Sequence, residues 1–130
     1  MERAEEVTYL DTHVVIWIFG GEEQRLSSAA TKQIRDEELL ISPAVVLELQ
    51  LLHEIKRLKA AALKVIERLS VEIGLRVCGL PFTSVLEHAV EQSWTRDPFD
   101  RLIVAQASAN DGALVTRDRE IRRNYKRSIW

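Results

Sequence analysis

Leu39-Leu-Ile-Ser-Pro-Ala-Val-Val-Leu-Glu48 turns from strand to helix within two residues. Leu39 to Ile41 is an apolar run of strand length, Ser42 supplies an N-cap hydroxyl, and Pro43 occupies the first helical position, where a missing N–H costs no hydrogen bond. The helix is expected from Ala44 to Lys59. Downstream, helix formers from Ala60 to Ile73 stop at Gly74, a good residue just past a helix end, and Leu75 to Cys78 reads as a strand before Pro81. Upstream, Ser28 to Glu37 reads as a helix and Val7 to Leu10 as a strand that stops at Asp11. Ser84-Val-Leu-Glu87 has capping-box spacing ahead of a helix reaching about Gln92. Asp97-Pro98 repeats the cap-and-proline arrangement before Phe99 to Asn110, and Ala113 to Val115 forms a last strand after Asp111-Gly112. Strands that alternate with helices, without an internal repeat, predict an α/β domain with a mostly parallel sheet.

The chain has 130 residues, 46% apolar and 29% charged, which suits one compact domain over residues 1–130 and neither a disordered nor a membrane protein. Its apolar runs fall short of the ~18 residues that cross a bilayer. The charged start, Met1 to Glu6, lacks the apolar region of a signal peptide, so a cytoplasmic location is expected. Cys78 is the single cysteine and is expected to be an inert buried thiol. Net charge is −2, so bulk charge does not drive nucleic-acid binding. Arg117 to Trp130 nevertheless carries six basic and two acidic residues, a basic tail beside an acidic body.

In an open parallel sheet, ligands bind beyond the carboxyl ends of the strands, and here the residues at those ends are acidic. Asp11 follows the first strand and Asp118 lies three residues past Val115. Asp100 stands in the first turn of the Pro98 helix, where the dipole favours a carboxylate. Glu48 interrupts an otherwise apolar helix. The bland readings are an N-cap for Asp97, which explains it best, a dipole-favoured first-turn acid for Asp100 and a turn residue for Asp118, whereas Asp11, between Leu10 and Thr12 at a strand end, has no cap to make. Together, Asp11, Glu48, Asp100 and Asp118 at one sheet end would repel by roughly 4 kcal/mol per pair at 4 Å and an effective dielectric of 20. Divalent cations relieve that, and an oxygen-only donor set suits Mg²⁺ or Mn²⁺.

Four segments, Tyr9-Leu-Asp-Thr-His-Val-Val-Ile-Trp17, Ser42-Pro-Ala-Val-Val-Leu-Glu48, Trp94 to Ala107 around Arg-Asp-Pro-Phe-Asp-Arg101, and Leu114-Val-Thr-Arg-Asp118, resemble the four motifs of PIN-domain nucleases. The likeness is to the VapC-type toxins of toxin–antitoxin pairs, in order and spacing over nearly the whole chain. The resemblance implies a three-layer domain with a central sheet of four or five strands flanked by helices. It also implies a Mg²⁺- or Mn²⁺-dependent endoribonuclease, and a small antitoxin as partner. Asp11, Glu48, Asp100 and Asp118 match the family's metal acids, and Thr116 a hydroxyl that helps hold metal or water. The family often carries Asn at the position of Asp118.

Arg96, Arg101, Arg117 and Arg119 flank the acids and are placed to meet RNA phosphates. Trp94 is weighed as a base-stacking residue and read as a core or interface tryptophan, and His13 as a solvent-facing residue at a helix start. The apolar residues of Ala44 to Ile55 run almost all the way round the helix, so a second face is expected to meet another chain, as a homodimer or with the antitoxin. A haloacid-dehalogenase phosphatase needs an acid where His13 stands, a receiver domain needs a lysine near Arg117, and a dinucleotide fold needs a glycine-rich first turn. The surviving alternative is a non-catalytic α/β binding or scaffold module with a structural acidic cluster. Without metal, crowded carboxylates should destabilise the fold, and Asp11→Asn is expected to be the cleanest relief.

Overall fold

A computed structural model describes residues 6–130; the charged Met1 to Glu5 stretch lies outside them. Five strands form one all-parallel sheet in the order β3-β2-β1-β4-β5. They are β1 (Val7–Leu10), β2 (Glu38–Ile41), β3 (Arg76–Val77), β4 (Ala113–Val115) and β5 (Ser128–Ile129). Seven helices flank it: α1 (Thr12–Phe19), α2 (Ser28–Asp36), α3 (Pro43–Glu54), α4 (Ala62–Ile73), α5 (Phe82–Ala89), α6 (Pro98–Ala109) and α7 (Arg119–Asn124). Helix α3 packs against α1, α4 and α6, and α5 packs against α6. The α/β expectation and the range of four or five strands both hold.

The three central strands are buried: Leu10, Ile41 and Leu114 expose nothing, and Val45, Leu49, Leu69 and Ile103 are buried on the helices that flank the sheet. Each such aliphatic side chain contributes about 1.5–3 kcal/mol by leaving water. Gly112 precedes β4 because a Cβ there would lie 2.9 Å from both the Tyr9 ring and the Val7 carbonyl oxygen. Cys78 is buried, as expected, with its sulfur 3.1 Å from the Tyr9 hydroxyl.

The expected elements differ from the observed ones at their ends. Helix α3 stops at Glu54, not Lys59, because the chain turns left-handed at Lys56 (φ 63°). Its successor ends at Gly74 in the left-handed conformation, as read. Ser84 is no cap: α5 starts at Phe82 behind Pro81, without a side-chain cap, and ends before Gln92. Within the basic tail lie α7 and the edge strand β5, which the charge pattern hid. The Arg127 guanidinium is 2.6 Å from Glu6, so part of that tail's charge serves to tie it down.

The order of strands decides where a site forms. From β1 the chain steps outward through β2 to β3, then returns to place β4 on the other side of β1. The crevice between the carboxyl ends of β1 and β4 is therefore the topological switch point of the sheet.

Candidate active site

Asp11 stands at that switch point. Its backbone N–H donates to the Val115 carbonyl at 3.1 Å, which joins the ends of β1 and β4. Its side chain caps α1 by accepting from the Thr12 N–H at 2.8 Å, and its other oxygen accepts from the Thr116 hydroxyl at 2.7 Å. Asp11 is thus an N-cap after all, a role that its place between Leu10 and Thr12 concealed. Thr116 is fully buried and also accepts from the Asp118 N–H at 3.1 Å, so one hydroxyl holds the carboxylate and the loop after β4 together. Asp118 in turn caps α7 through the Ile121 N–H at 2.9 Å.

Glu48 arrives from the second turn of α3, and the Thr12 hydroxyl donates to it. Thr12 therefore touches two acids at once, Asp11 through its N–H and Glu48 through its side chain. Sequence reasoning missed it, although its place directly after Asp11 was a usable signal. Thr12→Val keeps the shape and removes the hydroxyl; were these acids to hold Mn²⁺, its binding in calorimetry would weaken by about 10- to 100-fold, the usual cost of losing a group that orients a ligand.

Asp97 caps α6 through the N–H groups of Phe99 (2.8 Å) and Asp100 (3.2 Å). Pro98 fixes the first helical position, and the cap aims the first turn, and Asp100 with it, toward β1. A cavity of about 420 Å³ gathers the result: Asp11, Glu48, Asp97, Asp100 and Asp118 line it, and Arg117 together with His13, Val14 and Trp17 of α1 completes the lining. All four sequence-chosen acids are brought together. Of the four chosen arginines, only Arg117 lines the cavity. Arg96 and Arg101 instead donate to the carbonyls of Ser93 (2.7 Å) and Thr95 (2.8 Å), bracing the loop before α6, and Arg119 is exposed in the first turn of α7.

The electrostatics follow from the crowding. Burial pushes the Asp11 carboxyl above its ordinary range, while its bonds from Thr116 and the Thr12 N–H pull it back. Burial also raises Glu48, and nearby Asp11 adds to it against the Thr12 hydrogen bond. Asp100 is pushed up to about 7, first by burial and then by the charges of Asp97, Asp11, Asp118 and Glu48. No hydrogen bond reaches its carboxylate from the described residues. Among those residues, no three His, Cys, Asp or Glu side chains stand close enough to grip one metal ion.

Asp97→Asn should keep most of the activity, since asparagine caps a helix about as well as aspartate, whereas Asp97→Ala should lose about 1 kcal/mol of stability in a urea titration. An activity loss in Asp97→Asn as deep as in Asp100→Asn would move Asp97 from cap to ligand.

An all-parallel sheet with carboxylates converging from β1, α3, α6 and the loop after β4 defines a class of acidic-site α/β domain. The chain belongs to the PIN-domain family, whose sequence profile matches residues 8–127, and within it to the VapC type. It is 36% identical over 117 residues to ribonuclease VapC22 of Mycobacterium tuberculosis, covering 87% of this chain and 88% of that protein. Three solved structures share the fold. VapBC-1 from nontypeable Haemophilus influenzae superposes with a TM-score of 0.61 at 16% identity, covering 94% of this chain and 95% of that one. VapBC2 from Rickettsia felis bound to a promoter DNA fragment gives 0.59 at 17%, covering 90% and 92%. A toxin–antitoxin complex from Klebsiella pneumoniae gives 0.57 at 17%, covering 88% and 89%.

Proposed function

We propose that this chain is a Mg²⁺- or Mn²⁺-dependent endoribonuclease, the toxin of a toxin–antitoxin pair, built as one PIN-like domain over residues 1–130. The convergence of four carboxylates in one cavity, with burial and mutual repulsion raising Asp100 to about 7, carries the reading. A scaffold gains nothing from such a cluster, because its charges oppose folding. The donor set fits the ion: all oxygen, with lone pairs to spare on carboxylates that each accept at most two hydrogen bonds.

Asp11, Glu48, Asp100 and Asp118 would hold the metal, which when bound supplies Lewis acidity and an activated water. The protein's own groups do the rest. Thr116 and the Thr12 N–H fix the Asp11 carboxylate, and the Thr12 hydroxyl fixes Glu48. Arg117, which lines the cavity, meets the phosphate nearest the acids, and Arg96, Arg101 and Arg119, outside the cavity lining, are left for phosphates further along the RNA. Neither a serine nor a cysteine lines the cavity, which favours direct attack by water over a covalent intermediate.

The likeness to the Klebsiella pneumoniae toxin–antitoxin complex supports an antitoxin as partner. No helix among the described residues is long and apolar enough to cross a membrane; the reading places the protein in the cytoplasm with its RNA. Leu47 and Leu51 of α3 and its C-cap residue Ile55 form an exposed stripe at four-residue spacing, 55%, 40% and 62% accessible, and we assign it to a homodimer contact. Leu51→Glu should then give a monomer in light scattering; an unchanged mass would remove the stripe from the interface.

The function is tested by incubating purified protein with cellular RNA in Mg²⁺, Mn²⁺ or EDTA. Internal cleavage in either metal and none in EDTA is expected. A scaffold cleaves in none of the three.

A further inference from the structure

Part of the cavity lining, His13 and Trp17 of α1, is aromatic, and catalysis by carboxylates leaves it without a task. Trp17 sits one helical turn after His13 on α1, with ring centroids 6.2 Å apart. On its other side Trp130 lies 6.0 Å away, tilted by 56°, and the Arg25 guanidinium stands 5.7 Å from the indole centroid. Trp94 and Trp130 both pack against the buried core; Trp17 does not. The Trp94 indole N–H donates to Gln92 at 2.7 Å, whereas that of Trp17 donates to no group among the described residues. A half-buried indole that joins no core and lines the same cavity as five carboxylates is surface held ready for a flat ligand.

We propose that Trp17, with exposed His13 beside it and Trp130 and Arg25 bracing it, is a stacking subsite for an unpaired nucleobase adjoining the scissile phosphate. The inference rests on the ribonuclease reading and adds to it the side chain that would hold a base beside the cleaved bond. Every nucleobase offers a π face, so such a platform grips without reading sequence, and a base already stacked within a duplex is unavailable to it. Exposed Arg117, in the same cavity lining, is the cation that fits an adjoining phosphate, whereas Arg25 is already paired with Glu22 at 3.2 Å and braces the indole. The cavity's 420 Å³ lies within the ~300–1,000 Å³ of ligand pockets. Trp94, weighed from sequence for this role, is excluded by its core packing and its satisfied N–H.

The test uses a short fluorescein-labelled single-stranded oligoribonucleotide of mixed sequence. Binding is followed by anisotropy with Ca²⁺ in place of Mg²⁺, and cleavage is measured separately with Mg²⁺. Trp17→Ala should weaken binding about 5- to 150-fold, the range for losing one stacked base. It should raise KM by a similar factor with little change in kcat, while Trp17→Phe keeps most of the affinity. One abasic nucleotide beside the cleavage point should cost the wild type the same factor and cost Trp17→Ala nothing. Trp17→Leu, which keeps an apolar helix former at the position, must show the same loss, so a folding defect in the alanine variant does not decide the matter. Wild-type affinity in both variants overturns the subsite and leaves the shelf to a protein partner; failure of the wild type to bind the oligonucleotide also overturns it. Binding that depends on Trp17 without cleavage in either metal would overturn the ribonuclease reading and leave the subsite standing.

Discussion

Asp100→Asn and Asp11→Asn should each lower Mg²⁺-dependent RNA cleavage by at least about 100-fold, since even groups that merely orient a metal ligand cost 10- to 100-fold. Both substitutions keep side-chain shape, and neither residue belongs to the apolar core. For Asp100 the loss is purely electrostatic, because no hydrogen bond within the described residues depends on its carboxylate. For Asp11, asparagine can still cap α1 through its oxygen, but its amide meets the Thr116 hydroxyl, which must turn to accept. Circular dichroism should show a retained fold in both. Cleavage at near wild-type rates by either variant, in parallel with an intact fold, would sink the assignment of the site.

The second large effect appears without metal. The folded-state pKa of Asp100, about 7, lies above its ordinary value of 3.8. Between those values the folded protein keeps a proton that the unfolded chain has lost, so stability falls as pH rises through the window. Below about pH 4 both states are protonated and the penalty vanishes; above pH 7 it is complete. Three pH units correspond to about 4 kcal/mol, which solvent screening of a half-buried carboxylate reduces to about 2 kcal/mol. The lost interaction with the α6 dipole returns about 0.3–1 kcal/mol of that. In EDTA at pH 8, Asp100→Asn should therefore melt higher than wild type by about 3–8 °C, and the difference should close near pH 4. Millimolar Mg²⁺ should stabilise the wild type and hardly the variant, as mass action requires. Equal melting temperatures at pH 8 in EDTA would show that Asp100 is not crowded by its neighbours. Asp100, not Asp11, is the clean probe: Asp11 holds two hydrogen bonds whose disruption would mask the relief of charge.

How far the sequence could be read depended on whether a signal was local. The strand-to-helix turns at Ser42-Pro43 and Asp97-Pro98 were legible because a cap and a proline act on their own neighbours, and both caps are made as expected. The end of α3 was not, because Lys56 turns left-handed in a run that helix propensity would have continued. Strand β5 has two residues, with no periodicity to detect; it exists because Leu114 and Thr116 offer β4's outer edge to the carbonyls of Arg127 and Ile129.

Asp11, Glu48, Asp100 and Asp118 were chosen from residue type, spacing and family likeness, and the sequence alone determined that Asp11 and Asp118 follow strands of a parallel sheet while Glu48 and Asp100 stand near the starts of proline-led helices. Only the tertiary structure decided what surrounds them. It turned Thr12 into the link between Asp11 and Glu48, withdrew Arg96 and Arg101 to brace a loop, and took Trp94 into the core while leaving Trp17 on the cavity wall. The physical reason is the range of the forces. Caps, turns and alternation act over a few residues along the chain, whereas a side chain's final partner depends on elements far apart in sequence. Thr116 donates to a carboxylate 105 residues away, and that distance closes only once β1 and β4 lie side by side.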